Sequence, residues 1–407
     1  MGNGVMAKES AAALPHFPFQ LQHGDVRRRA SILTRIAPAV LFVLIAIALP
    51  IGLFLFRAVD NSEIRGNLPA TLAELSGWTS TSMPEDRHFD ALAADLRKIA
   101  GEPRLFQLAR RLNYHKTGYR SAVLKAADAV SAQPSAPARR AIIAADPLWG
   151  EREIWQVLHG ESGTMTSFFL LGALDLEAAD GTIRSADPGR ALYREVFIRT
   201  IWMSLLIAGA TVLLGYPVAY FLANSGSRFA LWGMYAVLLP FWTSLLVRTL
   251  AWIVIFQKGG LASSLLAALG FGATSLLYSR TAVIIGMIHV MLPFMILPIY
   301  AVMRGISPSY MRAAVSLGAS PLQAFFTVYL PQSLPGIGAG ILIVTILSLG
   351  FYLTPALLGS PNDQLISYFI AYFTNELVNW NMAAALSLWL LLIAAALFIV
   401  IRWAFGK

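Results

Sequence analysis

Arg248, in LLVRTLAW, and His289, in MIHVMLPF, are the notable ionisable groups inside long apolar stretches of this 407-residue chain. A charge in such surroundings costs about 3 kcal/mol by insertion scales unless it faces protein or water, so each is a candidate for lining a polar path. For Arg248 the alternative is snorkelling to the nearer interface. Trp242, Trp252 and Tyr352 are aromatic candidates for the same path, since a cation over an aromatic face gains about 0.5–2 kcal/mol. Other chemistry is poorly provided for. There is no cysteine, hence no disulfide framework, thiol nucleophile or Cys-ligated metal. His88, His115 and His159 lack HxxxH or HExxH spacing, so no metal site is expected. The phosphate-cradling pattern G-x-x-x-x-G-K-[ST] does not occur, and the lone Gly-Lys pair is Gly406-Lys407, so the chain is not expected to bind or hydrolyse ATP.

The elements that must hold these residues are membrane helices. Hydrophobic residues make up 57% of the chain and charged ones 13%, with a mean hydropathy of +0.62. Six runs can cross a hydrocarbon core about 30 Å thick: Ile36 to Phe56, Ile201 to Leu222, Phe229 to Phe256, Ala282 to Met303, Ile337 to Leu358 and Met382 to Ile401. None contains a carboxylate. Pro50, Pro217, Pro240, Pro293, Pro298 and Pro355 fall within them, where proline frees carbonyls and kinks helices. The expected fold is an all-α polytopic membrane protein with six transmembrane helices and a large extracytoplasmic insert between the first and second. Its expected divisions are a cytoplasmic tail (1–35), a first transmembrane helix (36–56), the insert (57–199) and a five-helix core (200–403).

The net charge of +9 sits largely at the membrane ends, which orients the chain and makes nucleic acid an unexpected partner. Lys8, Arg27, Arg28, Arg29, Arg35, Arg228, Arg304, Arg312, Arg402 and Lys407 lie on one side, against Lys258 and Arg280 in the opposite short loops. Both termini are therefore expected in the cytoplasm, with lipid on every side of the spans. The first span, preceded by a long polar tail and lacking a small-residue cleavage pattern, reads as an anchor rather than a signal peptide.

The insert carries acidic and basic residues in equal number. Phe89, Leu92 and Leu96, then Leu105, Leu108 and Leu112, recur at helical spacing. SAQPSAPARR reads as a linker, and the aromatic-rich stretch from Asp146 to Leu176 could lie against the membrane.

The stretch from Arg304 to Pro331 forms a unit of its own. Ser307-Pro308 is a helix start, a hydroxyl cap followed by a residue needing no amide partner. Tyr310, Ala313, Ala314 and Leu317 then share one face, and Gly318 can stop the helix in the left-handed conformation. Ser320-Pro321 repeats the start, and Leu322, Phe325, Phe326 and Tyr329 repeat the spacing with bulky groups before Pro331 and Pro335 end the unit. Two short helices across the cytoplasmic membrane face are expected, the first projecting into a partner.

This loop resembles the signature of ABC importer membrane subunits: Glu-Ala-Ala, three residues, Gly, nine residues, then Ile-x-Leu-Pro. Arg312-Ala313-Ala314, VSL, Gly318, ASPLQAFFT and Val328-Tyr329-Leu330-Pro331 match every spacing, with Arg312 in place of the usual Glu and Val328 in place of Ile. RTIWMSLLIAGATVLLGYPVAYFLA, LPFWTSLLVRTLAWIVIFQKGGL and LSLGFYLTPALLG are similar to the spermidine/putrescine-type branch. The resemblance implies a non-catalytic permease subunit of a bacterial inner-membrane importer for a polyamine or related small organic solute. It implies a coupling role for Tyr310, Arg312, Ala313, Ala314, Gly318 and Pro331. It also implies partners: cytoplasmic ATPase subunits carrying ATP and magnesium, a second permease and an extracytoplasmic solute-binding protein. The alternatives are weaker: a secondary transporter or channel usually needs an intramembrane acidic relay, a sensor needs a cytoplasmic signalling domain, and an enzyme needs a nucleophile–base or metal spacing.

Overall fold

The structure, a computed structural model, describes residues 36–405 apart from 180, 181, 190 and 273. The basic tail expected over 1–35 and the terminal Lys407 lie outside the described residues. Among the described residues, six helical stretches are long and apolar enough to cross a membrane. The first, α1 (Ile36–Phe56), is 21 residues, about 31 Å at 1.5 Å per residue, and includes a π-helical turn at Leu44–Ala48.

The segment after α1 folds into short helices: α2 (Ser62–Arg65), α3 (Pro69–Leu75), α4 (Asp86–Ile99), α5 (Pro103–Asn113), α6 (Tyr119–Ala132), α7 (Ala138–Ala145), α8 (Arg152–Gly160) and α9 (Phe168–Gly172). A hairpin follows, β1 (Leu176–Ala179) antiparallel to β2 (Thr182–Ser185). Phe89, Leu92, Leu96, Leu105, Leu108 and Leu112 are all buried in one core, as their spacing predicts. Two expectations are modified here. The SAQPSAPARR stretch ends α6, turns over 133–137 and begins α7, two helices that pack together, and is not a linker. The aromatic stretch divides: Phe168 and Phe169 share a core with Ile366 and Met382, whereas Trp149 and Trp155 turn away from the surface. They are fully buried within the insert, 5.5 Å apart, with indole N–H groups donating to Ala122 O (3.0 Å) and Trp149 O (3.1 Å).

The remaining chain runs α10 (Tyr193–Asn224), α11 (Ser227–Leu238), α12 (Leu245–Phe256), α13 (Leu261–Ala268), α14 (Arg280–Arg304), α15 (Pro308–Ser316), α16 (Pro321–Leu349), α17 (Leu353–Leu358), α18 (Ile366–Asn375) and α19 (Trp380–Phe405). α10, α14 and α16 pack on one another around a core that includes Met287, Met295, Ile299 and Val344. Contact between α14 and α16 is close because Gly336 has no side chain: a β-carbon there would stand 3.0 Å from both Ile299 Cα and Pro298 O.

The expected spans shift in two places. The run from Phe229 to Phe256 is not one helix. Pro240 lies in a 3₁₀ turn (Leu239–Trp242), Thr243 and Ser244 are extended, and the membrane-length stretch is Leu245–Ala268, bent between α12 and α13 where Gly259 adopts φ +78°. The run from Ile337 to Leu358 likewise breaks at Gly350, after a helix that began sixteen residues earlier, at Pro321.

The insert is fastened to the membrane helices by bonds between distant residues. Asn381 Nδ2 donates to Asp60 O (2.9 Å), Arg110 to Leu377 O (3.4 Å) and Trp389 to Leu170 O (3.1 Å). Asp175, itself in the left-handed region (φ +56°), accepts the backbone N–H groups of Leu192, Tyr193 and Arg194 at 2.7–3.0 Å. Its carboxylate thereby satisfies the open first turn of α10 and complements the helix dipole.

Candidate functional site

Two places in this frame gather the candidate residues. The first is the loop between α14 and α16. Ser307 Oγ accepts the Ser309 N–H, and Ser320 Oγ accepts the Gln323 N–H at 3.2 Å, so both Ser-Pro starts cap as expected. α15 ends in a Schellman motif. Gly318 takes φ +95°, its N–H reaching Val315 O (2.9 Å) while the Ala319 N–H reaches Ala314 O (3.1 Å). Met311 and Ala314 face the body of the protein, whereas Tyr310, Arg312, Ala313, Ser316 and Leu317 are exposed, Leu317 at 89%. The predicted apolar face of Tyr310, Ala313 and Leu317 is therefore largely the uncovered one, and Met311, absent from that prediction, seats the helix.

The second half of the loop departs from expectation. Pro331 and Pro335 do not end a surface helix. The chain passes from Pro321 through a π-helical stretch (Phe325–Tyr329) directly into the membrane-length α16, because the widened turn accommodates the ring and the missing donor of Pro331. Leu322 and Phe326 are exposed, but Phe325 and Tyr329 turn inward. Phe325 meets Tyr216 and Tyr220 edge-on at 6.2 and 5.6 Å and stacks on Tyr329 at 5.9 Å. Tyr329 Oη accepts from Asn224 Nδ2 (3.0 Å), and Tyr216 Oη pairs with Ser333 Oγ (3.1 Å). The end of α10 is thus bound to the start of α16, with α15 carried between them and the end of α14.

The second place is the break between α11 and α12. A cavity of about 210 Å³ there is lined by Pro240, Phe241, Leu245, Arg248, Phe294 and Phe351, among others. Irregular backbone at membrane depth is tolerated where it lines a cavity and its polar groups find partners. The Thr243 hydroxyl donates to Pro240 O (3.0 Å) and Arg248 Nη2 to Thr243 O (3.2 Å), so Arg248 serves a carbonyl that the break exposes. Its Nε is buried without a hydrogen-bond partner among the described residues. Trp252 Nε1 donates to His289 Nδ1 (3.1 Å), which leaves the proton of a neutral His289 on Nε2. Arg248, Trp252 and His289 are thus neighbours on α12 and α14. Trp242, 88% exposed, and Tyr352 do not line this cavity; their chain neighbours Phe241 and Phe351 do. Alternation around a broken helix carries no period from which that one-residue offset could be read.

The histidines of the insert all have partners. His88 Nδ1 accepts the Glu85 N–H in a capping box, and His159 Nδ1 donates to Leu75 O (2.9 Å). His115 Nε2 lies 3.3 Å from Glu161 Oε1, which also accepts from Arg111 (3.0 Å) and Thr166 (3.2 Å), with Arg111 stacked on Phe168 and Phe169 at 4.6 and 4.5 Å. Burial pushes the His115 imidazole below its ordinary value. Burial alone would raise Glu161, but the His115 hydrogen bond and the Arg111 charge outweigh it and hold the carboxyl below the usual range.

Residues 212–405 match the family described as the inner membrane component of binding-protein-dependent transport systems. The spermidine/putrescine transport system permease protein PotB of Escherichia coli K12 is 32% identical over 226 residues, covering 55% of this chain and 81% of the relative. The inner membrane ABC transporter permease protein YdcU of the same organism is 33% identical over 218 residues, covering 49% and 69%. The molybdenum transport system permease protein ModB of Mycobacterium bovis is 31% identical over 185 residues, covering 45% and 69%. Among solved structures, a bacterial ABC transporter that imports alginate aligns at a TM-score of 0.41 and 19% identity, covering 51% of this chain and 78% of that one. The family match and the sequence identity to these permease proteins, of which the chain covers two thirds or more, place it: the chain belongs to the family of inner-membrane components of binding-protein-dependent transport systems.

Proposed function

We propose that the chain is the permease subunit of an ATP-driven importer, with α15 as the coupling helix and the α11–α12 cavity on the solute path. The observation that carries this reading is the build of α15: capped at both ends, seated by Met311 and Ala314, and presenting an uncovered face whose spacing matches the importer signature. In this scheme the end bearing Arg228, Arg304, Arg312 and Arg402 is cytoplasmic, by the excess of positive charge there, and the insert is extracytoplasmic. Separate ATPase subunits hold ATP and magnesium. A second permease completes the path, and a binding protein delivers the solute on the insert side.

Closure of the ATPases pushes α15. Through the Phe325–Tyr329 cluster that push reaches α10 and α16 together, and through Met311 the core around α14, so the helices tilt as bodies between two packed arrangements. The cargo class follows the PotB likeness: a polyamine or related small organic solute. Supporting it, the phenyl rings of Phe241, Phe294 and Phe351 that line the cavity are aromatic surfaces a cation could pass.

The test is purification of the tagged chain from its native membrane in mild detergent with identification of co-purifying proteins, followed by uptake measurements. Recovery of an ATPase and a second permease, with uptake of labelled putrescine or spermidine competed by the other, is expected. Recovery of neither would return the α14–α16 loop to a surface hairpin without a partner, and uptake insensitive to polyamines would remove the cargo class.

A further inference from the structure

The distribution of carboxylates says what must face α15. No Asp or Glu occurs between Glu195 and Asp363. The described carboxylates that border the membrane helices all sit at the insert end: Glu195 on the first turn of α10, Asp363 paired with Arg280 (2.9 Å) at the start of α14, and Glu376 just before α19. From Arg280 to Arg304 the helix rises roughly 36 Å, several times the Debye length of about 8 Å at physiological salt. Arg228, Arg304, Arg312 and Arg402 therefore collect at the far end with no carboxylate of the described chain near them. Arg304 and Arg402 are final-turn residues, where a cation complements the helix dipole. Arg312 differs: it is mid-helix, exposed beside Ala313 and Ser316, and without a hydrogen bond or ion pair among the described residues.

A surface that receives this helix strips water from the guanidinium, and an unpaired charge so buried opposes association. The guanidinium fork matches a carboxylate in two parallel hydrogen bonds. We infer that the ATPase surface receiving α15 presents an Asp or Glu carboxylate to Arg312, so that this importer's docking contact has the basic partner on the permease and the acidic partner on the ATPase. This rests on the coupling role proposed above. It also sets which ATPases can serve: one whose groove offers a basic side chain at this place would be repelled.

The experiment uses the complex purified from the native membrane. Arg312→Gln and Arg312→Glu are compared with wild type for ATPase retention across a salt series, and Arg312→Lys is treated with a carbodiimide, which joins an amine to a carboxylate. We expect at least tenfold weaker retention for Arg312→Gln and more for Arg312→Glu, the order expected when one partner of a buried charge pair is removed or reversed. In Arg312→Lys we expect an amide cross-link from position 312 to an ATPase Asp or Glu that wild type does not give. Equal retention by all variants without that cross-link overturns the acidic partner while leaving the docking itself intact. A cross-link to Glu9 or Asp25 of this chain, or weaker binding of Arg312→Glu to phosphatidylglycerol vesicles with ATPase retention unchanged, overturns it in favour of the tail or of lipid. Failure of wild type to retain any ATPase ends the docking reading and this inference with it.

Discussion

Replacing Gly318 separates two demands that a glycine can meet. Its φ of +95° costs an L-residue about 1–2 kcal/mol, whereas a β-carbon built there meets nothing within 4 Å. Within the chain, then, Gly318→Ala should carry only the backbone term, about 1 kcal/mol or a fivefold shift in how often the end of α15 is correctly wound. Asn accepts the left-handed conformation more readily, so Gly318→Asn should be milder still for the isolated subunit. If a partner approaches closely at this position the order reverses for coupling, because the larger Asn adds an overpacking cost of about 1–3 kcal/mol that Ala largely escapes. The assay is ATPase stimulation and transport by the reconstituted complex, beside the melting temperature of each variant. We expect both melting temperatures to stay near wild type while Gly318→Asn loses at least tenfold in coupled transport and Gly318→Ala about fivefold. Asn coupling better than Ala would mean that conformation alone matters and that no surface approaches Gly318.

Gly336→Ala should destabilise the detergent-solubilised protein by about 1–3 kcal/mol, because backbone atoms of Pro298 and Ile299 cannot rotate away from the new methyl; an unchanged melting temperature would contradict the close crossing of α14 and α16. Trp252→Phe keeps the ring and removes the donor, leaving His289 Nδ1 unpaired at about 1–3 kcal/mol, and uptake should fall while subunit assembly, judged by co-purification, does not. The insert should lose stability as pH falls. Folded His115 resists the proton that its unfolded form accepts below about 6.5, and folded Glu161 does so below the unfolded value near 4.5, so both groups stabilise the fold above those values and cease to below them. Protection against hydrogen exchange in α5 and α9, taken relative to the intrinsic exchange rate at each pH, should fall from pH 7 to 5, and His115→Gln should flatten that first step.

Local chemistry in this protein was legible and distant chemistry was not. Ser307, Pro308, Gly318 and Ser320 act within three or four residues of themselves, so capping and the left-handed stop can be read directly from residue types. The buried period of Phe89 to Leu112 is legible for the same reason. Pro331 misled because the π-helical stretch that admits it depends on Phe325 and Tyr329 finding Tyr216 and Tyr220, more than a hundred residues earlier. The break at Pro240 depends on Arg248 and Thr243 satisfying freed backbone oxygens, which an unbroken count of apolar residues does not register. The bonds from Asn381 to Asp60 and from Asp175 to α10 join segments without any shared pattern.

α10 spans 32 residues, about 48 Å of continuous helix, and is held at both extremities: Asp175 of the insert grips its first turn and the ring cluster of the α14–α16 loop grips its last. Such a rod works as a drive shaft. Torque applied to the insert arrives at the opposite face with no hinge in between except the give at Pro217, so the two faces of this subunit are geared to one another before any solute enters the path.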